Sequence, residues 1–269
     1  MKISVLISVY KKENPLFLDA ALNSIICQTI QPDEIILIED GPLTNELESV
    51  INKYKTIESK LKNIHLEKNQ GLANALNVGL KYCKNELIAR MDSDDIAKPT
   101  RFAKQIAIFS THPNIDICSS WIEEFQDSTD NILSIKKIPE KHEDIIKYAK
   151  HRSPINHPTV MYKKSSVLAV GGYDGFPEDY RLWIKMLMKG YQFYNIQESL
   201  LYFRFSPDMI KRRGGFKYAL NDIKSQIIFY KMGFLSFFDT IYNIIIRVTV
   251  RLFPSKIRTY IYKQFLRKE

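Results

Sequence analysis

The sequence predicts an α/β fold in which helices flank a mainly parallel β-sheet. Short runs of β-branched and aliphatic residues alternate with helical patterns through the first half of the chain, and this alternation is typical of strand–helix–strand crossover units. The chain has 269 residues, of which 45% are hydrophobic. It is therefore long enough to bury a full core, and it suits one large domain with an appendage.

The elements follow one another in a regular order. The predicted strands of the first half are Ile3–Val9, Glu34–Glu39, Ile64–Leu66 and Leu87–Met91. The predicted helices are Leu16–Gln28, Asn45–Leu61, Leu72–Tyr82, Pro99–Thr111 and, in the second half, Asp179–Met188. Between the last two helices, the segment Ile115–Ile138 is rich in β-forming residues, and we expect it to be antiparallel.

Polar residues follow each of the first four strands. They are Ser8 with Tyr10, Asp40, Asn69 in the turn Asn69-Gln70-Gly71, and Asp92. Ligands of open α/β sheets bind beyond the carboxyl ends of the strands. We therefore expect these residues to converge on one crevice.

The segment after the fourth strand carries three carboxylates within four positions, Asp92, Asp94 and Asp95. Carboxylates this close repel one another unless a cation lies among them, and Mg²⁺ or Mn²⁺ prefers oxygen ligands. The alternative is an acidic turn before the next helix. The convergence of the other strand ends favours a divalent metal site.

The turn Ser8–Pro15 after the first strand contains no glycine. It therefore has neither of the glycine-rich patterns that hold phosphates on a helix N-terminus, and a metal ion is the alternative means of neutralising them. The carboxylate of Asp40 could accept a hydrogen bond from a uracil imide or a ribose hydroxyl, although Asp40-Gly41 could also be only a turn.

A second group of residues lies in the later half of the chain. Gly171-Gly172 indicates a tight turn, and Glu178-Asp179 begins a predicted helix. These two carboxylates could be functional, or they could serve only to complement the helix dipole.

The net charge of +9 is concentrated in the tail. Residues 211–269 contain thirteen Lys and Arg against three Asp and Glu, whereas the first 210 residues sum to −1. The segment Phe234–Phe253 predicts an amphipathic helix with a polar stripe of Asp239, Asn243, Arg247 and Arg251, and Ile257–Leu266 predicts a second short helix. Because basic residues alternate with aliphatic ones, anionic lipid is favoured over nucleic acid as the binding partner of the tail. The alternative is that the two helices pack on the domain and expose a basic face to solvent.

The three cysteines, Cys27, Cys83 and Cys118, are widely spaced and form no metal-binding pattern, so a reducing compartment is expected. The N-terminus has no pattern of a secretory signal, and no apolar run reaches the roughly 18 residues of a membrane span. We expect a cytoplasmic protein at the inner face of the cell membrane.

Six segments in order resemble the inverting family-2 glycosyltransferases with a GT-A fold, of the kind that build bacterial capsule, O-antigen and exopolysaccharide. They are Leu6-Ile7-Ser8-Val9-Tyr10, Ile38-Glu39-Asp40-Gly41, Asn69-Gln70-Gly71 through Asn77-Val78-Gly79, Asp92-Ser93-Asp94, Gly171-Gly172-Tyr173-Asp174, and Glu178-Asp179 with Leu182-Trp183. The resemblance covers residues 1 to about 205 and implies a Rossmann-like sheet with a smaller antiparallel acceptor-side region, to which the tail adds a C-terminal helical extension. We therefore expect a nucleotide-sugar half (1–96), an acceptor-binding and catalytic half (97–210) and a basic extension (211–269).

The resemblance also implies residue roles. Ser8, Tyr10, Asp40, Asn69, Gly71 and Asp92 would bind the nucleotide. Asp94 and Asp92 would hold Mn²⁺ or Mg²⁺, and Asp179 would be the general base. Glu178, Trp183 and Arg204 could contact the acceptor or the diphosphate, although packing in the helix core is favoured for Trp183. Arg204 could belong with Lys211–Gly215 to a lid, or this segment could be a solvated loop.

The implied reaction moves one sugar, with inversion, from a nucleotide-diphosphate sugar, favoured as UDP-linked, to a saccharide or lipid-linked saccharide. The Gln-x-x-Arg-Trp motif of processive synthases is absent from the sequence, so transfer is expected to be non-processive. Two other classes compete. A nucleotidyltransferase that makes the nucleotide sugar would need a glycine-rich loop after the first strand. The other class is non-catalytic: a nucleic-acid-binding module with a basic tail, or an inactive transferase scaffold.

Overall fold

The computed structural model describes residues 1–206, 213–254 and 257–258. In this part of the chain nine strands form a single sheet in the order β3-β2-β1-β4-β8-β6-β9-β5, with β7 paired to β6. The strands are β1 Ile3–Val9, β2 Glu34–Glu39, β3 Leu61–His65, β4 Leu87–Asp92, β5 Ile96–Ala97, β6 Ile115–Phe125, β7 Ile132–Lys136, β8 Met161–Lys163 and β9 Gln192–Arg204.

Helices cover both faces of this sheet. They are α1 Pro15–Ile26, α2 Asn45–Ile57, α3 Leu72–Tyr82, α4 Arg101–Thr111, α5 His142–Ala149, α6 Lys164–Ala169, α7 Glu178–Met188, α8 Phe216–Lys231 and α9 Phe237–Leu252. A short 3-10 turn, His157–Thr159, precedes β8. The α/β class is confirmed.

The hydrophobic core has two layers because neighbouring side chains of a strand point to opposite faces. Val5 and Ile7 of β1 pack with residues of α1, α2 and α4. Leu6, between them, packs with residues of α3, α5 and α7. A strand buried on both faces is apolar along its whole length, and this explains the continuous aliphatic run of β1.

Strand direction changes across the sheet. The pairs β3-β2, β2-β1 and β1-β4 are parallel, whereas β8 runs antiparallel to both β4 and β6. The expectation that 115–138 is antiparallel is only half correct, because β6 is antiparallel to β7 and β8 but parallel to β9. The sequence analysis missed β9, which pairs with almost the whole of β6.

Two predicted boundaries change for a tertiary reason. The second helix ends at Ile57 rather than at Leu61, and the third strand begins at Leu61 rather than at Ile64. Leu61 is buried and pairs with Ile35 of β2. Leu61 therefore belongs to a strand, although its spacing from the apolar residues before it also fits a helix. The boundary expected between residues 96 and 97 falls inside β5, which pairs with β9, and that expected at residue 210 lies outside the described residues.

The C-terminal extension packs on the domain through its polar side. Asn243 of α9 is buried; its amide donates to the carbonyl oxygen of Lys150 (2.7 Å) and to Gln226 Oε1 on α8 (2.9 Å). The apolar side of α9 is exposed, with Phe238 82% and Ile245 58% accessible. The polar stripe of α9 therefore faces the domain, as the packing alternative predicts, but Arg247 and Arg251 on that stripe are mostly buried rather than solvated. The predicted helix Ile257–Leu266 lies almost entirely outside the described residues.

Candidate active site

The carboxyl ends of the parallel strands bring the predicted polar residues together. Ser8 at the end of β1 pairs with Asp92 of β4 on one side and with Ile38 of β2 on the other. Ser8 is half-buried, and the side chain of Tyr10, two residues later, is exposed. The nucleotide-binding residues expected from the first and fourth strands therefore lie at one edge of the sheet.

Asp40 holds the turn that follows β3. Its carboxylate accepts hydrogen bonds from the backbone N–H groups of Gln70 (2.7 Å) and Gly71 (3.0 Å) and from the Asn69 amide (2.9 Å). Gly41 has φ +86°, and a Cβ there would lie 2.5 Å from the backbone nitrogen of Asn69. Asp40-Gly41 and Asn69-Gln70-Gly71 thus form one interlocked wall, and Asp40 has a structural role that the sequence did not predict.

The acidic segment after β4 gathers its side chains. Carboxylate oxygens of Asp92, Asp94 and Asp95 lie within 4.8 Å of one another. The buried guanidinium of Arg90 donates to both oxygens of Asp92, with Nη1 2.5 Å from Oδ2. Asp95 is fully buried; its Oδ1 accepts from the Arg204 backbone N–H (2.8 Å), and its Oδ2 has no hydrogen-bond partner among the described residues.

This cluster has the electrostatics of a cation site. Burial, and then the neighbouring charge of Asp92, raise the pKa of Asp94 to about 7. Burial and the charge of Asp94 raise the pKa of Asp95 well above its usual value. A divalent ion would relieve this repulsion and would engage the orphaned Asp95 oxygen, so the residues fit Mn²⁺ or Mg²⁺. Such an ion, when bound, supplies charge stabilisation to a leaving diphosphate.

The side chain of Arg204 contacts the acidic segment. Its Nε donates to the carbonyl oxygen of Asp94 (2.9 Å), and its guanidinium stacks on the rings of Phe17 (3.8 Å to the centroid) and Phe125 (4.5 Å). The structure thus places Arg204 beside the acidic cluster, where its side chain contacts one backbone carbonyl group and two aromatic rings. Lys211 and Arg212 of the predicted lid lie outside the described residues.

The sequence analysis missed three residues that shape this cluster. Glu13 accepts from Ser93 Oγ (2.5 Å), and its charge helps to raise the pKa of Asp94. Arg90 neutralises Asp92 from the core. Arg101 is completely buried and donates to the carbonyl oxygen of Arg90 (2.6 Å). A charged residue inside an aliphatic strand, as Arg90 is, was the signal that could have been used.

Glu178 and Asp179 lie in the first turn of α7 and share a cavity with the acidic cluster. The cavity has a volume of about 560 Å³ and is lined by Asp92, Asp94, Glu178 and Asp179, among others. Burial raises the pKa of Asp179; the Tyr180 backbone N–H and the charges of Lys136, Arg90 and Arg213 oppose this shift. Burial, and then the charge of Asp179, raise the pKa of Glu178 as well.

The turn before α7 is tied to α3. The Asn77 amide donates to the carbonyl oxygen of Tyr173 (2.7 Å), and the Tyr173 backbone N–H donates back to Asn77 Oδ1 (2.9 Å). Gly172 has φ +69°, and a Cβ there would overlap Asn77 Oδ1. The segments Asn77-Val78-Gly79 and Gly171-Gly172-Tyr173-Asp174 are therefore two halves of one contact that positions α7.

Trp183 lies in the core and does not line the cavity. It is fully buried, and its ring packs on His157 (5.9 Å between centroids), Tyr173 (6.5 Å) and Phe193 (6.5 Å). Trp183 therefore packs in the core, as the alternative interpretation predicts, and does not reach an acceptor in the cavity.

The chain belongs to a glycosyltransferase family: the family described as "Glycosyl transferase family 2" matches residues 4–170. Among similar proteins, the Escherichia coli UDP-Gal:alpha-D-GlcNAc-diphosphoundecaprenol beta-1,3-galactosyltransferase is 46% identical and covers 99% of this chain and 97% of its own length. The amylovoran biosynthesis glycosyltransferase AmsE of Erwinia amylovora is 36% identical, over 97% of this chain and 98% of its own length.

Solved structures show the same fold at lower identity. S. aureus TarS 1-349 in complex with UDP-GlcNAc has a TM-score of 0.63 and 18% identity, covering 84% of this chain and 66% of that one. The mannosyltransferase PcManGT of Pyrobaculum calidifontis, in complex with GDP-Man and Mn²⁺, has a TM-score of 0.63 and 15% identity, covering 86% of this chain and 64% of that one.

The predicted family and its GT-A fold are confirmed, and the protein is a glycosyltransferase. The two competing classes, a nucleotidyltransferase and a non-catalytic protein with a basic tail, are set aside, because both the relatives that match the whole chain and the family itself are glycosyltransferases.

Proposed function

We propose that this glycosyltransferase moves one sugar, with inversion, from a UDP-linked donor to a saccharide carried on a lipid, in the synthesis of a surface polysaccharide. The observation that carries this proposal is the shared cavity in which a metal-competent acidic cluster and the carboxylate of Asp179 both lie. The whole-chain similarity to an enzyme named for a UDP-Gal donor and a diphosphoundecaprenol-linked acceptor supports the choice of substrates.

On the donor side, Ser8 and Tyr10 with the Asp40-held turn would bind the nucleotide. Asp92 and Asp94 would hold Mn²⁺ or Mg²⁺ against the diphosphate. Asp95 belongs in the same ligand set, because its buried Oδ2 lacks a partner among the described residues. A structure similar in fold holds GDP-Man and Mn²⁺, which supports a divalent ion without selecting which one.

On the acceptor side, Asp179 would act as the general base. Its carboxylate takes the proton of the acceptor hydroxyl, and the hydroxyl oxygen then bonds to the anomeric carbon while the bond from that carbon to the diphosphate breaks. The nucleoside diphosphate leaves with the electron pair. One displacement inverts the anomeric configuration, and positioned proton transfer contributes about 10²–10⁴-fold.

Two variants separate these roles. Asp94→Ala should lose metal-dependent donor binding, measured as the Mn²⁺-dependent shift of melting temperature with UDP. Asp179→Asn should keep that shift and lose transfer by about 10²–10⁴-fold.

The control is Asp144→Asn, which removes an exposed carboxylate on α5 and should change neither measurement. A donor screen with UDP-, GDP- and dTDP-sugars tests the nucleotide. Unchanged turnover in both active-site variants would refute the assigned roles.

We also propose that the exposed side of α9 contacts a membrane. Phe238, Ile241, Tyr242 and Ile245 recur at helical spacing, and all are exposed. An apolar helix face that lies at the lipid interface buries these side chains. In the part of the chain that the structure describes, no helix is long and apolar enough to cross a bilayer, so this contact would be peripheral, at the inner face of the cell membrane.

Vesicle pelleting tests the membrane proposal. The double variant Phe238→Ser with Ile245→Ser should lose most of the binding to phosphatidylglycerol vesicles, because two large apolar side chains no longer enter the lipid. A matched control is Leu16→Ser, which changes an exposed leucine on α1. Equal recovery in the supernatant with and without vesicles, for the wild type, would refute the proposal.

A further inference from the structure

Three arginines of the C-terminal extension line the cavity that holds Asp179. Arg213 precedes α8, and Arg247 and Arg251 lie one helical turn apart on α9. The extension was expected to present its basic residues to solvent or lipid. Instead it brings positive charge to the catalytic cavity.

A buried carboxylate on α8 fixes these guanidinium groups. Asp222 is 3% exposed; it accepts from Arg251 Nε (2.8 Å), and Arg247 Nη1 lies 3.6 Å from its other oxygen. Arg247 Nη2 also donates to the carbonyl oxygen of His151 (2.6 Å), and Arg251 Nη1 donates to that of Arg213 (3.1 Å). The side chains are held in place before any ligand arrives.

The charge balance of this group favours an anion. Among the described residues, Asp222 is the carboxylate that pairs with Arg247 and Arg251, so it brings one negative charge against their two positive charges. Arg213 brings a further positive charge to the same cavity. A guanidinium has five N–H donors in a planar fork that matches phosphate oxygens. Asp222 therefore orients the arginines without cancelling their charge.

We propose that Arg213, Arg247 and Arg251 bind the phosphate groups of the acceptor, a saccharide linked through diphosphate to a lipid. This inference rests on the proposed function. In that function the acidic cluster after β4 serves the donor diphosphate. These arginines come instead from the C-terminal extension, where Arg247 lies over the ring of Tyr180, the residue after Asp179 (5.8 Å to the centroid).

The two sides of α9 make this assignment geometrically coherent. One side faces the cavity with Arg247 and Arg251, and the other exposes Phe238 and Ile245. A helix with its side chains is about 10–12 Å thick. If the lipid chain of the acceptor lies in a membrane on the exposed side of α9, the acceptor must cross about one helix thickness to bring its sugar into the cavity. The diphosphate joins the lipid to the sugar, so it would lie along this path, beside the arginines.

The experiment compares two synthetic acceptors that carry the same sugar on the same alkyl chain, one through a diphosphate and one through a simple glycosidic bond. The variants are Arg247→Gln and Arg251→Gln. The control is Lys231→Gln, an exposed basic residue of α8 that does not line the cavity. For each protein, KM and kcat are measured for both acceptors, together with KM for the donor.

For the diphosphate acceptor, each arginine variant should raise KM by about 10- to 100-fold, the usual loss for a charge-assisted hydrogen bond. The phosphate-free acceptor and the donor should keep their wild-type KM. An equal loss on both acceptors, or a raised donor KM, would overturn the proposal.

A wild-type measurement covers the case in which a variant fails to fold. An alkyl diphosphate without a sugar should inhibit wild-type transfer competitively against the acceptor and not against the donor. Competition against the donor alone would refute the proposal and place the phosphate at the acidic cluster. Transfer to both acceptors with equal efficiency would refute this inference and leave the proposed function standing, whereas absence of any transfer would remove both.

Discussion

The affinity of the acidic cluster for Mn²⁺ should fall steeply below neutral pH. A carboxylate must lose its proton before it binds a metal ion, so the ionisation of Asp94 is linked to metal affinity. Burial and the charges of Asp92 and Glu13 raise the pKa of Asp94 to about 7, against 3.8 for an ordinary aspartate. The transition therefore lies near neutral pH.

The magnitude follows from this pKa. At pH 8 about nine tenths of Asp94 carboxyls are ionised, and at pH 6 about one tenth are, so the apparent affinity for Mn²⁺ should weaken about tenfold between the two. The pKa of Asp95 is also raised, so protonation of Asp95 should likewise weaken Mn²⁺ binding as the pH falls. An aspartate with the ordinary pKa would be almost fully ionised at both pH values, and affinity would hardly change.

For the metal-free protein, the free energy of unfolding should change with pH in the direction opposite to the Mn²⁺ affinity. A carboxyl group whose pKa is raised by folding favours the folded state at low pH, and this contribution is lost as the pH rises through about 7. Mn²⁺ should therefore raise the melting temperature more at pH 8 than at pH 6.

Isothermal titration of Mn²⁺ at pH 6, 7 and 8, in buffers of different ionisation enthalpy, measures both the affinity and the protons released. Asp94→Asn should bind more weakly and show a flatter pH dependence, and Asp144→Asn should match the wild type. A wild-type dissociation constant that stays within about twofold from pH 6 to pH 8, with no proton release, would refute the electrostatic argument.

Three further changes test the packing around the site. Gly41→Ala should destabilise the protein by about 2 kcal/mol more than Gly190→Ala in urea unfolding, because both glycines have positive φ but only the first meets a neighbour, the backbone nitrogen of Asn69. Asn77→Ala should cost about 1–3 kcal/mol and lower kcat, since two hydrogen bonds to the turn before α7 are lost. Trp183→Phe should lower the melting temperature and leave the acceptor KM unchanged; a raised KM at unchanged stability would instead support an acceptor contact.

Much of the donor half could be predicted from the sequence because its signals are local. A strand that ends in a polar residue and is followed by a helix places that residue at the sheet edge, whatever the rest of the chain does. Ser8, Asp40 and Asp92 are positioned in this way. The clustering of Asp92 and Asp94 likewise follows from their separation by one residue.

The parts that the sequence could not predict depend on contacts between distant segments. Arg204 lies 110 residues from Asp94, and its place is set by the pairing of β9 with β5 and β6. The period of α9 predicted a polar stripe but not the direction that the stripe faces. Its direction is fixed by Asp222 of α8, whose buried charge requires the two arginines.

The burial of Asp179 suits the role of general base that we propose for it. A carboxylate in bulk water is a weak base because its pKa lies near 4, whereas burial in this cavity raises the pKa of Asp179. The Tyr180 backbone N–H and the charges of Lys136, Arg90 and Arg213 oppose that rise. Removal of Arg213, by Arg213→Gln, should therefore shift the acidic limb of the pH–rate profile to higher pH as well as weaken acceptor binding. A limb that does not move would indicate that the charge of Arg213 does not act on the proton-accepting group.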